Sequence, residues 1–213
     1  WFEAGNMTCV GGFSTPNLET ITTLQPDIIF TTDVNEATVP DMRELGFKVI
    51  VLSAGSVEGV YRDISIVGNA TGAANKANEI IAELRSEISD VQEKIAAAGT
   101  TDKPTVYYEV YFSDRGIMTA GSATWLNDIF TLAGGVNIFA DQNAEFPYTS
   151  SEVIVQRNPT VIILPTNMGT GTPSYGSVEE VKARAGWNSI DAIKNDRLYI
   201  IDQGIMSEPG VLI

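Results

Sequence analysis

Residues 73–98 read AANKANEIIAELRSEISDVQEKIAAA, and this stretch decides how the chain is organised. Its apolar residues recur at three- and four-residue spacing, which predicts one long amphipathic helix that ends near Gly99. The recurring apolar residues are Ala77, Ile80, Ile81, Leu84, Ile88, Val91 and Ile95. A helix of this length extends roughly 40 Å, which exceeds what one small lobe needs. We expect it to tie two lobes together, although a long helix on a single domain would show the same pattern.

Strand and helix patterns alternate on both sides of this predicted helix. The predicted strands lie at residues 27–32, 48–52, 105–110, 161–164 and 198–202. The predicted helices lie at residues 36–45, 57–69, 122–133 and 177–185. This alternation predicts an α/β fold, with mostly parallel sheets covered by helices. We divide the chain into a first lobe (residues 1–72), the connecting helix (73–99) and a second lobe (100–213).

Composition narrows the functional classes. The net charge of −14 disfavours nucleic acid and anionic membrane surfaces as partners. No apolar run reaches the ~18 residues of a membrane-spanning helix. The chain has no histidine, which removes Ser-His-Asp and Cys-His catalysis and the usual zinc, copper and non-haem iron sites. We therefore expect no catalytic residues, no metal held directly by the protein and no cofactor.

The single cysteine, Cys9, cannot form an internal disulfide. No long apolar stretch precedes it, so we expect a small buried residue rather than a lipid anchor or a nucleophile.

The sequence contains an internal repeat. Residues 19–30 read ETITTLQPDIIF, and residues 152–163 read EVIVQRNPTVII. In each copy a glutamate, Glu19 or Glu152, stands seven residues before a proline that ends a helix and precedes a strand.

Each of these glutamates is expected in the first turn of a short helix, N-capped by Asn17 in one copy and Ser151 in the other. A carboxylate there stabilises the helix through its dipole, and this role alone would explain either glutamate. The alternative is that two equivalent carboxylates, one per lobe, dock onto two arginines of a symmetric partner.

These segments resemble the class III periplasmic binding proteins, the group that binds cobalamin, ferric siderophores and haem. The resemblance runs in order over nearly the whole chain. Its motifs lie at Gly12–Glu19 with Leu24–Ile29, at Trp125–Leu126 with Leu132–Phe139, at Ser151–Pro159, and at Trp187 with Ala192–Tyr199. The resemblance implies two lobes joined by one rigid helix, with ligand bound in the cleft between them. It also implies that Glu19 and Glu152 contact arginines of a dimeric ABC permease.

The function implied by this resemblance is that of an extracytoplasmic substrate-binding subunit of an ABC importer, tethered to the membrane and without enzymatic activity. Its ligand would be a metal chelate: an iron-siderophore, a corrinoid or a haem-type molecule. Two alternatives are a ligand-sensing domain of the same fold and a carboxylate-dependent α/β enzyme. Paired acids such as Asp33 and Glu36 would serve the enzyme, but an acidic chain supplies such pairs by chance.

The chain departs from the family pattern at both ends. Family members begin with a strand, a helix and a strand before the region equivalent to Gly12, and they carry a closing helix after the region equivalent to Pro209-Gly210. We expect the first lobe to be incomplete. An exposed sheet edge would favour self-association of the truncated fragment.

Candidate ligand-binding residues follow strand ends, where α/β folds bind ligands. In the second lobe they are Tyr111, Phe112, Arg115, Phe146, Tyr148 and Tyr175. In the first lobe they are Phe13 and also Asp33 or Ser53. An aromatic cluster with one arginine suits a flat or bulky ligand, and the arginine could pair with a ligand carboxylate.

Overall fold

The chain forms two compact units, residues 1–53 and 54–213. The computed structural model describes residues 7–12, 14–99, 102–113, 116–166, 178–202, 204 and 206. The helix at residues 57–70 and the long helix that follows it both belong to the second unit.

The first unit is a small α/β arrangement. Its elements are β1 (Gly11–Gly12), β2 (Thr15–Pro16), α1 (Leu18–Leu24), β3 (Ile29–Thr32), α2 (Val39–Glu44) and β4 (Val49–Leu52). Strands β1 and β2 form an antiparallel pair, and β3 and β4 form a parallel pair. The core contains Ile21, Val39, Met42 and Val49.

Cys9 lies on an exposed stretch that precedes β1, and its side chain is exposed. The expectation of a buried cysteine is therefore wrong. Residues 7–12 are all exposed, so the short apolar neighbours of Cys9 do not bring it into a core.

The second unit begins with two helices and continues as a sheet with flanking helices. Its elements are α3 (Val57–Ala70), α4 (Ala74–Ala97), β5 (Thr105–Ser113), β6 (Gly116–Thr119), α5 (Trp125–Leu132), β7 (Val136–Asn137), β8 (Tyr148–Thr149), α6 (Ser151–Arg157), β9 (Val161–Pro165), α7 (Val178–Lys182), α8 (Asp191–Lys194) and β10 (Leu198–Ile201). Strands β10, β9, β5 and β7 are parallel, as the alternating pattern predicts. Strands β6 and β8 extend the sheet in antiparallel fashion from the far end of β5.

Side chains from the two faces of β5 enter different hydrophobic clusters. Tyr107 packs with Trp187 and Ile162 on one face, and Tyr108 packs with Trp125 and Phe130 on the other. This alternation is the two-residue period of a strand buried on both faces. The strand is thereby fixed in place by packing on both of its faces.

Helix α4 confirms the prediction of one long amphipathic helix. It packs against α3, where Gly68 permits close approach: a Cβ at this position would lie 2.4 Å from the Cβ of Ala77. Leu84 joins Tyr61 and Val57 in a cluster that also contacts α5. The role of α4 as a connection between two lobes stays a prediction. Among the described residues, no helix is both long and apolar enough to span a bilayer.

Candidate functional site

The two copies of the repeat adopt the same local structure. Helices α1 and α6 each span seven residues, and Glu19 and Glu152 occupy the second position of each. Both glutamates are exposed. Each therefore presents a carboxylate at the amino end of a short helix, where the helix dipole favours negative charge.

The carboxyl ends of α1 and α6 also match. Each helix ends at a residue with left-handed backbone, Gln25 (φ 47°) or Asn158 (φ 44°), directly before the proline. The amide of that residue donates to the carbonyl of a buried isoleucine, Ile21 or Ile154, which anchors the helix. The equivalence predicted from sequence thus extends to the backbone conformation of both turns.

The amino-terminal caps differ between the copies. Asn17 caps α1 as predicted, because its Oδ1 accepts from the amide of Thr20 at 2.9 Å. The predicted cap Ser151 is wrong: Ser151 is the first residue of α6, and Ser150 occupies the cap position with extended backbone. A hydrogen bond from the Ser150 side chain lowers the pKa of Glu152, so this carboxyl ionises more readily than usual. The Ser150 side chain therefore stabilises the ionised form of Glu152.

A row of side chains crosses the sheet from the carboxyl end of β5, with an exposed tyrosine at each end. Tyr111 pairs with Met118 on β6, and Met118 pairs with Tyr148 on β8. Cross-strand partners share one face of a sheet, so these three side chains form a continuous row, which we call the aromatic row. Tyr111 and Tyr148 are each 51% exposed. Two strand spacings separate them by roughly 10 Å.

A β-bulge between Glu109 and Tyr111 sets which side chains face outward. Regular alternation would place Glu109 and Tyr111 on the same face. Instead Phe112 shares the face of Glu109, as is seen from the contacts that Arg184 makes with both residues. The bulge thus turns Tyr111 toward the row, and Phe112 takes its place beside the buried cluster.

Phe146 lies on a segment that is held against the end of β6 and the turn that follows it. The amides of Thr119 and Gly121 donate to the carbonyls of Pro147 and Glu145, at 3.0 and 2.8 Å. A Cβ at Gly121 would lie 2.0 Å from the Ala144 carbonyl oxygen, so only glycine fits there. These bonds fix the backbone on both sides of Phe146, whose ring is 41% exposed. The structure therefore holds another exposed ring close in sequence to Tyr148.

Three predicted ligand-binding residues, Phe13, Arg115 and Tyr175, lie outside the described residues, as does most of the predicted loop at 166–176. In the first unit, Asp33 and Ser53 follow the parallel strands β3 and β4. The Ser53 hydroxyl donates to Asp33 Oδ2 at 3.1 Å. The structure thus brings together the two alternative candidates of this unit.

Sequence reasoning missed Met118, Glu109 and Arg184. Glu109 was detectable as a carboxylate within the otherwise apolar strand at 105–110, which is typical of a buried ion pair. Nothing in the sequence pairs it with Arg184, 75 residues away. Within the described ranges, no three His, Cys, Asp or Glu side chains form a group that could hold a metal ion.

Residues 3–204 match a family profile described as "Periplasmic binding protein". An uncharacterised ABC transporter substrate-binding lipoprotein of Bacillus subtilis is 28% identical over 91% of this chain and 60% of its own length. A vitamin B12-binding protein of Vibrio parahaemolyticus is 22% identical over 97% of this chain and 71% of its own length. The chain therefore spans roughly 60–70% of these two relatives.

Among solved structures, a periplasmic haem-binding protein in complex with two haems has a TM-score of 0.83. It is 17% identical, and the match covers 98% of this chain and 78% of that chain. At this identity the likeness concerns the fold, and it agrees with the α/β architecture predicted from sequence. All three of these proteins are named as binding proteins.

Proposed function

Because the chain belongs to the periplasmic binding protein family, we propose that it is the substrate-binding subunit of an ABC importer for a corrinoid, a haem or an iron-siderophore. The observation that carries this proposal is the aromatic row of Tyr111, Met118 and Tyr148. Solvent-exposed tyrosines in a row at a strand end offer a wide apolar surface with hydroxyls at its rim. Such a surface suits a flat, conjugated ligand.

The width of the row supports the ligand class. Tyr111 and Tyr148 lie roughly 10 Å apart, which is comparable with the width of a tetrapyrrole ring. Met118 between them is half-buried and supplies a polarisable side chain that adapts to an aromatic surface. Large metal chelates bring their own ligands to the metal, so such a site needs no metal-binding side chains.

A ligand panel tests the proposal directly. Purified protein would be dialysed to equilibrium against cyanocobalamin, dicyanocobinamide, haemin and ferrichrome, and bound ligand would be measured by absorbance and metal analysis. We expect saturable binding of one of them with a Kd at the micromolar level or tighter. Folded protein that binds none of the four would contradict the ligand class.

We further propose that Glu19 and Glu152 dock the protein onto arginines of a dimeric permease. Both carboxylates are exposed at equivalent positions of two like-built helices, and Ser150 favours the ionised form of Glu152. Exposed rim charges of this kind act chiefly on the rate and register of association. Ligand affinity should not depend on them.

The docking proposal is tested with the double variant Glu19→Gln/Glu152→Gln in proteoliposomes that contain the cognate permease. We expect ligand uptake to fall at least about tenfold while the Kd for ligand stays unchanged. Glu83→Gln, which neutralises an exposed glutamate on α4, is the matched control and should transport as wild type. Wild-type uptake by the double variant would refute the docking role.

The same proposal places the protein outside the cytoplasm and tethered to the membrane. The Bacillus subtilis relative is named as a lipoprotein, which supports a tethered form. Protease treatment of intact cells should degrade the protein, and fractionation should recover it with membranes. Recovery in the cytoplasmic fraction, protected from protease, would argue against this location.

A further inference from the structure

Arg184 lies at the centre of a buried cluster behind the end of β5. Its Nη1 donates to Glu109 Oε2 at 2.6 Å, and its Nη2 donates to Glu109 Oε1 at 2.9 Å. The Glu109 side chain is fully buried, and the Arg184 side chain is 13% exposed. The Tyr107 hydroxyl also donates to Glu109 Oε2, at 2.9 Å. This bidentate pair therefore fixes the plane of the guanidinium group.

The guanidinium lies over two aromatic rings. Its Cζ is 4.6 Å from the ring centroid of Phe112 and 4.6 Å from that of Trp187. Trp187 is fully buried, whereas Phe112 is 46% exposed. Arg184 thus connects the buried cluster to the exposed ring of Phe112, which directly follows Tyr111 along the strand.

A purely structural role does not require this chemistry. Apolar side chains of similar volume often stabilise a fold as well as a buried ion pair does. What they lack is a planar cation that stacks on a ring and fixes its tilt. The half-exposed ring of Phe112 lies on the opposite face of the sheet from the aromatic row, but Phe112 directly follows Tyr111 along β5, so fixing its ring also fixes the strand end that carries Tyr111.

We infer that Arg184 is a positioning residue for ligand binding: clamped by Glu109, it holds Phe112 and the bulged end of β5 in the orientation that presents Tyr111. This inference rests on the ligand-binding function proposed above. Arg184 itself is not proposed to touch the ligand. Its effect reaches the ligand through Phe112 and the strand end.

The chain offers a matched control in Arg157. This arginine also binds a carboxylate with two hydrogen bonds, to Asp141 at 2.7 and 2.8 Å, and its Cζ lies 4.5 Å from the ring centroid of Phe139. Phe139, however, is buried in the core and forms no part of the aromatic row. Lysine at either position keeps the charge and removes the planar group.

The affinity test compares Arg184→Lys and Arg157→Lys with wild type, with cyanocobalamin and haemin as probes. We expect Arg184→Lys to weaken binding about tenfold and Arg157→Lys less than about twofold. In a Phe112→Ala background, Arg184→Lys should change the affinity by less than about twofold, because its route to the ligand is gone. Equal losses in both lysine variants, or additive losses with Phe112→Ala, would overturn the inference.

A ligand-free measurement separates this inference from the proposed function. Amide hydrogen exchange of the peptide at residues 109–113 should accelerate in Arg184→Lys and stay unchanged in Arg157→Lys. Wild-type protein that binds neither probe would refute a corrinoid or haem-type ligand, and the exchange result would then test the positioning role of Arg184 alone. Unchanged exchange in Arg184→Lys would overturn the positioning role whether or not the probes bind.

Discussion

Two arginine–carboxylate pairs in the second unit share one geometry and differ in their surroundings. Arg184 with Glu109 and Arg157 with Asp141 are both bidentate, and each guanidinium lies over an aromatic ring. The Glu109 side chain is fully buried, whereas the Asp141 side chain is 60% exposed. Geometry alone therefore does not tell which pair contributes more to stability. Burial decides how much the free energy of unfolding falls when one partner is removed.

The buried pair lies where the protein is proposed to bind ligand, and the surface pair lies at the helix proposed to dock. Arg157 belongs to the last turn of α6, and it also donates to the carbonyl of Ile138. It therefore fastens the helix that carries Glu152 to the segment that follows β7. Two copies of one interaction thus lie beside the two surfaces that are proposed for ligand binding and for docking.

The largest effect should follow from Glu109→Leu. This change leaves the Arg184 guanidinium and the Tyr107 hydroxyl without their shared acceptor in a buried environment. We expect the free energy of unfolding to fall by about 3–5 kcal/mol, measured by chemical denaturation. The double variant Glu109→Leu/Arg184→Met should recover most of this loss. If Glu109→Leu were as stable as wild type, the claim that the buried pair matters more for stability than the exposed pair would be wrong.

A smaller effect should follow from Asp141→Asn, since solvent already screens this pair. The shift in denaturation midpoint at neutral pH should be less than about a third of that of Glu109→Leu. Hydrogen bonds from Arg157 hold the pKa of Asp141 below its ordinary value of 3.8. The ionised form therefore stabilises the fold above the pKa of the unfolded chain, and this contribution is lost as the pH falls through the folded pKa.

The difference in stability between wild type and Asp141→Asn should accordingly shrink when the denaturation is repeated at stepwise lower pH. A difference in stability that grows as the pH falls would contradict the claim that ionised Asp141 stabilises the fold.

The smallest effect should come from salt. Raising the ionic strength to about 1 M shortens the screening length to roughly 3 Å, which weakens exposed pairs far more than buried ones. The loss in free energy of unfolding caused by Asp141→Asn should become smaller in high salt, whereas the loss caused by Glu109→Leu should stay the same. Parallel denaturation series at two salt concentrations measure both. If salt changed both losses equally, burial would not explain the difference between the two ion pairs.

Much of the fold follows from local sequence. The apolar period at 73–98 predicts α4 to within a residue at each end. The repeat predicts α1 and α6 with their glutamates, because a proline and a polar cap mark the two ends of a short helix. Helix periodicity and breaker residues are local signals, so one sequence suffices to locate them.

The details of the site required the structure. The bulge after Glu109 reverses the face of Tyr111 and Phe112, and no rule of two-residue alternation predicts it. The pairing of Tyr111, Met118 and Tyr148 depends on the register of an antiparallel extension that the alternating pattern does not indicate. Ser150 replaces Ser151 as the cap, since neighbouring serines give the same signal.

The affinity of the aromatic row for ligand tests the central claim most directly. Tyr111→Ala and Tyr148→Ala would be compared with Tyr199→Ala, which removes an equally exposed tyrosine (53%) from β10. For the ligand that wild type binds from the panel, we predict a loss of about tenfold in affinity from each row variant and none from the control. Equal affinity in all three variants would contradict the claim that this row binds the ligand.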